Sequence, residues 1–146
     1  MDIRTFRHGT EDYTKALALR TAELRKPLGL TFTAEELKKD EEDLHFGLFD
    51  ENEILACLTL TICDNKKVKM RQVATLASKQ GNGLGRMLAK AAEEYAADNG
   101  YSFMFCNARK TAVPFYEKLG YRIVSDEFTE VGIPHYTMEK QLTHGQ

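Results

Sequence analysis

The run Gln80-Gly81-Asn82-Gly83-Leu84-Gly85-Arg86 places glycines at alternate positions just ahead of the most regular apolar periodicity in the chain. Glycine reaches left-handed and crowded backbone conformations, so the N–H groups of such a loop can turn toward one point. The start of a helix adds unpaired N–H donors and the positive end of a dipole. Together these suit an anion such as a phosphate. A glycine-rich turn can equally do no more than close a helix onto a strand. Spacing excludes two phosphate binders. No Gly-x-x-x-x-Gly-Lys-Ser/Thr run is present, and the third glycine comes one position too early for the Gly-x-Gly-x-x-Gly of a dinucleotide-binding unit.

Groups able to move a proton or an acyl group are few. Tyr116 stands at helical spacing with Phe115 and Leu119, where it reads either as a core aromatic or as a hydroxyl placed for proton transfer. His135, in Gly132-Ile133-Pro134-His135, belongs to the residue type that titrates near neutrality and leads the candidates for a general base. His45 and Glu23 follow it, and a chain of water could do the same work. Cys106 could accept an acyl group, but nothing near it in sequence favours a thiolate, so it reads as a buried apolar thiol. Arg20 and Arg25 could read a carboxylate, against the default of a solvated helix face. Lys66, Lys67, Lys69 and Arg71 read as a hairpin tip and its solvent face.

The elements that must position these groups follow from periodicity. Ile3 to Arg7 alternates as a short strand does. Tyr13, Leu17, Arg20 and Leu24 fall at helical spacing, and Pro27 with Gly29 stops that helix. Thr33 reads as the N-cap of a second helix reaching Lys39, with acids in its first turn. Phe46–Phe49, Ile54–Ile62 and Val68–Leu76 read as an antiparallel meander with turns at Asp50-Glu51-Asn52 and Asp64-Asn65. Leu84, Met87, Leu88, Ala91, Ala92 and Tyr95 then form one helical face, with Gly100 beyond its end. Tyr101–Cys106 is a strand. Ala112 to Leu119 is a helix that admits Pro114 in its first turn and ends at Gly120. Tyr121–Val124 and His135–Glu139 close the chain as strands. The expectation is an α+β fold, a mixed sheet of about seven strands with about four helices.

Composition bounds the function. With 146 residues and no linker or repeat, residues 1–146 are expected to form a single domain that needs neither disulfide nor metal. A net charge of −2 argues against a nucleic-acid face. Three cysteines without metal spacing suggest a reducing compartment. No segment has the apolar length of a membrane span, and the N-terminus lacks a signal-type apolar run, so a cytoplasmic protein without membrane partners is expected.

Gln80, Gly83 and Gly85 match, position by position, the Gln/Arg-x-x-Gly-x-Gly/Ala pyrophosphate loop of the GNAT N-acetyltransferases. The resemblance continues in Asn107-Ala108-Arg109 followed by Ala112-Val113-Pro114-Phe115-Tyr116-Glu117-Lys118-Leu119-Gly120-Tyr121, which is similar to the family's second hallmark. Gly132-Ile133-Pro134-His135 with Met138, and Leu24-Arg25-Lys26-Pro27-Leu28-Gly29, resemble a poorly characterised bacterial subgroup. The resemblance implies the acyl-CoA N-acyltransferase fold and acetyl transfer from acetyl-CoA to a primary amine of a small molecule or peptide, by direct attack and without a metal. It implies that the backbone of Val73, Ala74 and Thr75 pairs with the pantetheine arm, one amide facing the thioester carbonyl. It implies that Gly81, Asn82, Gly83, Leu84, Gly85 and Arg86 hold the pyrophosphate, and that Tyr116 protonates the departing thiolate. His135 is then the leading acceptor of the amine's proton. Many members carry Asn where this chain has Arg109, and Asn107 is taken as the cofactor contact instead. A non-catalytic acyl-CoA sensor or scaffold is the alternative. The acceptor is left open, and a homodimer would fit such a fold.

Overall fold

Thr10 accepts a hydrogen bond from the Tyr13 N–H (3.2 Å) and so opens α1 (Glu11–Arg20), whose first turn carries Glu11 and Asp12. The helix loosens into a π-turn (Thr21–Arg25) and a 3-10 turn (Lys26–Leu28) at Pro27, and Gly29 ends it in the left-handed region at φ +71°. Thr33 then makes a full capping box with Glu36, each side chain receiving the other's N–H, and starts α2 (Ala34–Lys39). The stop at Pro27 and Gly29 and the cap at Thr33 were legible as residue types in the right places.

The computed structural model describes residues 1–143. Its eight strands are β1 (Asp2–Phe6), β2 (Leu44–Asp50), β3 (Glu53–Ile62), β4 (Lys67–Thr75), β5 (Phe103–Arg109), β6 (Arg122–Ile123), β7 (Phe128–Glu130) and β8 (Ile133–Gln141). With α3 (Leu84–Asp98) and α4 (Val113–Lys118) they make an α+β chain with a mixed sheet. The chain forms two compact units, Met1–Thr61 with Arg71–Ala92, and Ile62–Met70 with Glu93 onward.

In the first unit β1 pairs β2 and β2 pairs β3, all antiparallel. Phe6, Tyr13, Ala16, Leu19, Phe49, Ile54, Cys57 and Ala74 pack as one apolar cluster, and full burial of each large member contributes about 1.5–3 kcal/mol. Gly47 is required there, since a Cβ on it would lie 2.6 Å from the Phe49 ring. In the second unit the start of β4 pairs β5 in parallel, Lys67–Lys69 against Phe103–Phe105, while β8 lies antiparallel between β5 and β6 and also pairs β7.

Two details depart from the sequence reading. The strand Phe128–Glu130 was not anticipated, because its acidic surroundings masked so short an alternation. The buried face of α3 runs through Leu84, Leu88, Ala89, Ala92, Glu93, Ala96 and Ala97, leaving Met87 and Tyr95 exposed. Small alanines form this face, and Glu93 joins it because the Tyr121 hydroxyl donates to one carboxylate oxygen and the Lys140 ammonium pairs with the other, at 2.8 Å each.

Candidate functional site

Within β4, Gln72 is a non-glycine residue in the left-handed region at φ +57°. This breaks the regular extension just ahead of Val73, Ala74 and Thr75. A 3-10 turn, Ala77–Lys79, then delivers the glycine loop. The Gln80 amide donates to the Thr75 carbonyl (3.2 Å) and the Asn82 amide to the Lys79 carbonyl (3.1 Å), so side chains tie the loop to the end of β4 and to the 3-10 turn. Gly81 and Gly83 sit at φ +85° and +77°, exposed, with nothing within 4 Å of a Cβ built on either. The Met87 N–H reaches back to the Gly83 carbonyl (3.0 Å). The N–H groups of Leu84, Gly85 and Arg86 therefore belong to the first turn, where no intrahelical partner exists. The Gln80–Thr75 hydrogen bond places the start of the glycine loop beside the end of β4.

A second group forms in the other unit. Tyr116, 7% exposed, lies edge-on to Phe115 and Tyr121 on α4 and its C-terminal turn. Burial and the neighbouring Cys106 push its phenol well above the ordinary range, so it stays protonated at neutral pH. Its hydroxyl has no hydrogen-bond partner among the described residues. Cys106 is 2% exposed and burial pushes its thiol up to about 12, which leaves no thiolate for acyl transfer.

His135 is buried and tightly held. Its Nδ1 lies 2.9 Å from the Ile133 carbonyl, its Nε2 lies 3.6 Å from Glu130 Oε2, and Phe128 stacks on its ring. Asn107 belongs to the same cluster. Its Oδ1 accepts from the Thr137 hydroxyl (2.9 Å) and its Nδ2 donates to Glu130 Oε1 (3.4 Å). Glu130 is the residue that sequence reasoning passed over. The available signal was its place five residues before His135, with Gly132 marking a tight hairpin between them.

The remaining candidates lie in the first unit. His45 is buried, taking a hydrogen bond from Thr59 at Nδ1 (2.9 Å) and donating from Nε2 to the Asp40 carbonyl (3.0 Å); burial, the largest influence, lowers its pKa. Glu23 lies half-buried on the π-turn. Arg20 and Arg25 are not solvated but 1% and 7% exposed. Arg20 pairs with Asp40 (2.9 Å), Arg25 pairs with Glu36 (2.9 Å), and both guanidinium groups lie over the Phe32 ring. Arg71 likewise turns inward to Asp40 and Asp43 instead of to solvent. Tyr13 donates to the same Asp40 carboxylate at 2.6 Å. Burial alone would raise Asp40, but Tyr13, Arg20 and Arg71 outweigh it and hold the carboxyl below its usual range. An apolar groove of about 600 Å³ beside Ala18, Leu19, Ala22, Ile54 and Leu76 completes the first unit. Among the described residues no three His, Cys, Asp or Glu side chains group to hold a metal ion, and no helix is long and apolar enough to cross a membrane.

The sequence model of the acetyltransferase (GNAT) domain matches residues 16–142. The chain belongs to the GNAT acetyltransferase family. It is 45% identical over 73 residues to an uncharacterised N-acetyltransferase of Bacillus subtilis (strain 168), YjcF, a stretch covering 49% of this chain and 52% of that one. The chain spans about half the length of two such curated relatives. Among solved structures, a Lactobacillus plantarum protein classed with the N-acetyltransferases superposes with a TM-score of 0.87 at 27% identity, over 98% of this chain and 100% of that one. A GNAT acetyltransferase of Elizabethkingia anophelis, solved with acetyl-CoA bound, shares the fold with a TM-score of 0.75 at 19% identity, over 97% of each chain. The GNAT match takes in every residue from Val73 to His135 discussed above.

Proposed function

We propose that this chain is an acetyl-CoA-dependent N-acetyltransferase whose 146 residues work as one domain, passing the acetyl group to a primary amine of a small molecule or peptide by direct attack. The observation that carries the reading is the exposed loop with Gly81 and Gly83 in the left-handed region ahead of the unpaired first-turn N–H groups of α3, in a chain of the GNAT family. A pyrophosphate fits such donors, and the space beside each glycine would be lost to a side chain.

In this reading the main chain of Gly81 to Arg86 binds the pyrophosphate, and Val73, Ala74 and Thr75 receive the pantetheine arm. One amide of that strand stabilises the oxyanion as the amine adds, an effect worth about 3 kcal/mol. Asn107 is assigned a cofactor contact at the end of β5. Tyr116, kept neutral by burial, gives its proton to the departing thiolate. His135 takes up the proton that the acceptor ammonium must lose.

The test is a coenzyme A titration by calorimetry, joined to free-thiol release from acetyl-CoA across a panel of primary amines. Saturable binding with amine-dependent release is expected. Binding without release for any amine would replace the enzyme with an acyl-CoA sensor, and absence of binding would overturn the reading altogether.

A further inference from the structure

A base that must touch a substrate nitrogen needs an open face, and His135 has almost none. Its side chain is 4% exposed, while that of Glu130 beside it is 47% exposed. The hairpin explains their meeting. β7 and β8 are joined by Val131 and Gly132 at φ +47° and +78°, a two-residue turn with both residues left-handed. Glu130 then pairs Ile133, and Phe128 pairs His135. Residues two apart along a strand share a face, so Glu130 and His135 become diagonal neighbours within reach of a long side chain. A β-branched valine at positive φ is strained, so the flanking pairs must hold this turn closed.

The donor pattern decides what each nitrogen can do. The Ile133 carbonyl can only accept, so Nδ1 of His135 donates to it and Nε2 is the ring nitrogen that faces Glu130 Oε2, at 3.6 Å. The other oxygen of Glu130 receives the Asn107 amide at 3.4 Å. Glu130 on β7 is the carboxylate beside the imidazole, and Arg109 on β5 is the register partner of His135. Asn107 and Cys106 are successive residues of β5, so their side chains leave opposite faces. Cys106 is the neighbour of Tyr116, and Asn107 that of Glu130. Acid and carboxylate are thereby kept on separate faces of one strand.

We propose, resting on the acetyltransferase reading, that Glu130 is the catalytic base in contact with the acceptor amine, and that His135 is a positioning residue holding the proton Glu130 collects. The ammonium gives a proton to a Glu130 oxygen, which hands it to Nε2 of His135 and becomes a carboxylate again. The freed lone pair forms the N–C bond at the acetyl carbonyl carbon. The C–S bond breaks with its electron pair on sulfur, which takes a proton from Tyr116. The second proton lost by nitrogen restores Tyr116 through solvent, and His135 releases its own to solvent through Glu130. One proton leaves per acetyl group transferred.

The experiment compares wild type, Glu130→Gln, Glu130→Asp and His135→Gln on ethylamine and its 2-fluoro, 2,2-difluoro and 2,2,2-trifluoro analogues, whose basicity falls stepwise at nearly constant size. Coenzyme A binding by calorimetry and circular dichroism accompany each variant. Glu130→Gln is expected to lower kcat for ethylamine by about 10²–10⁴-fold with coenzyme A affinity unchanged. The loss should shrink to a few-fold for trifluoroethylamine, which is already neutral at neutral pH. Glu130→Asp should keep part of the rate, and His135→Gln should lose less than Glu130→Gln but with the same dependence on basicity. Equal losses along the series in a folded Glu130→Gln, or no loss at all, would overturn the relay while leaving the acetyltransferase reading intact. A wild type that binds no coenzyme A would remove that reading itself.

Discussion

Tyr116 separates chemistry from packing in a single hydroxyl. The ring is wedged between Phe115 and Tyr121, and the hydroxyl has no hydrogen-bond partner among the described residues. Tyr116→Phe should therefore cost little stability. Acetyl transfer should fall by about tenfold to several-thousandfold with coenzyme A affinity nearly unchanged. The loss should shrink with an acyl donor whose leaving group is a weaker base. A Phe variant matching the wild-type rate where chemistry limits turnover would sink the assignment. The thiols give an independent check at the same scale. Cys63 is exposed while Cys57 and Cys106 are buried, and burial pushes both buried thiols up to about 12. A thiol reagent should label Cys63 rapidly in the native protein and the others only on unfolding. Cys106→Ala should leave acetyl transfer nearly unchanged; abolished transfer in a folded variant would point to an acyl-cysteine route instead.

At the scale of elements, the join between β4 and α3 depends on backbone conformations that few residues adopt. Gly83 lies at φ +77° with free space around it, so a side chain there is opposed by the backbone and not by neighbours. Holding a β-branched residue in that region costs about 1–2 kcal/mol, which corresponds to about 5–30-fold in an equilibrium. Gly83→Val is expected to weaken coenzyme A binding by at least that factor while circular dichroism stays native. Unchanged affinity in the folded variant would move the phosphate site elsewhere. Gln72 already bears such a conformation at φ +57°. Gln72→Val should lower the urea midpoint, whereas Gln72→Gly should not, and equal midpoints would show that the strand relaxes freely there.

For the molecule as a whole, the buried ion cluster on Asp40 sets the response to acid. Asp40 is held below its ordinary value of 3.8, so its contribution is full above that value and is lost as pH falls through the lower native one. His45 is lowered from 6.5 by burial, so below 6.5 the unfolded chain takes up a proton that the native one refuses. Urea unfolding should show stability level above about pH 6.5, declining below it, and declining again below about pH 4. His45→Gln should remove the first decline. A wild type equally stable at pH 7 and pH 5 would contradict this account. Asp40→Asn leaves Arg20 buried without its carboxylate and should cost about 3–5 kcal/mol.

What the sequence determined by itself was whatever depends on residue type at short range. Thr33 with Glu36, Gly29 after Pro27, and the glycines from Gly81 to Gly85 act through their own backbone, so element order, the phosphate-type loop and the family resemblance were all readable. The identity of the buried charges was not. Arg20, Asp40 and Arg71 are 20 to 51 residues apart, from Arg20 to Asp40 at the least and Arg20 to Arg71 at the most, and a guanidinium is buried only where folding delivers its carboxylate. Glu130 was missed for a related reason. Its meaning arises from a hairpin register fixed by Val131 at positive φ, and a valine in sequence does not announce a turn. Tertiary structure decided which polar residues face inward and which carboxylate meets His135, because burial and pairing are properties of neighbours that the chain brings from far away.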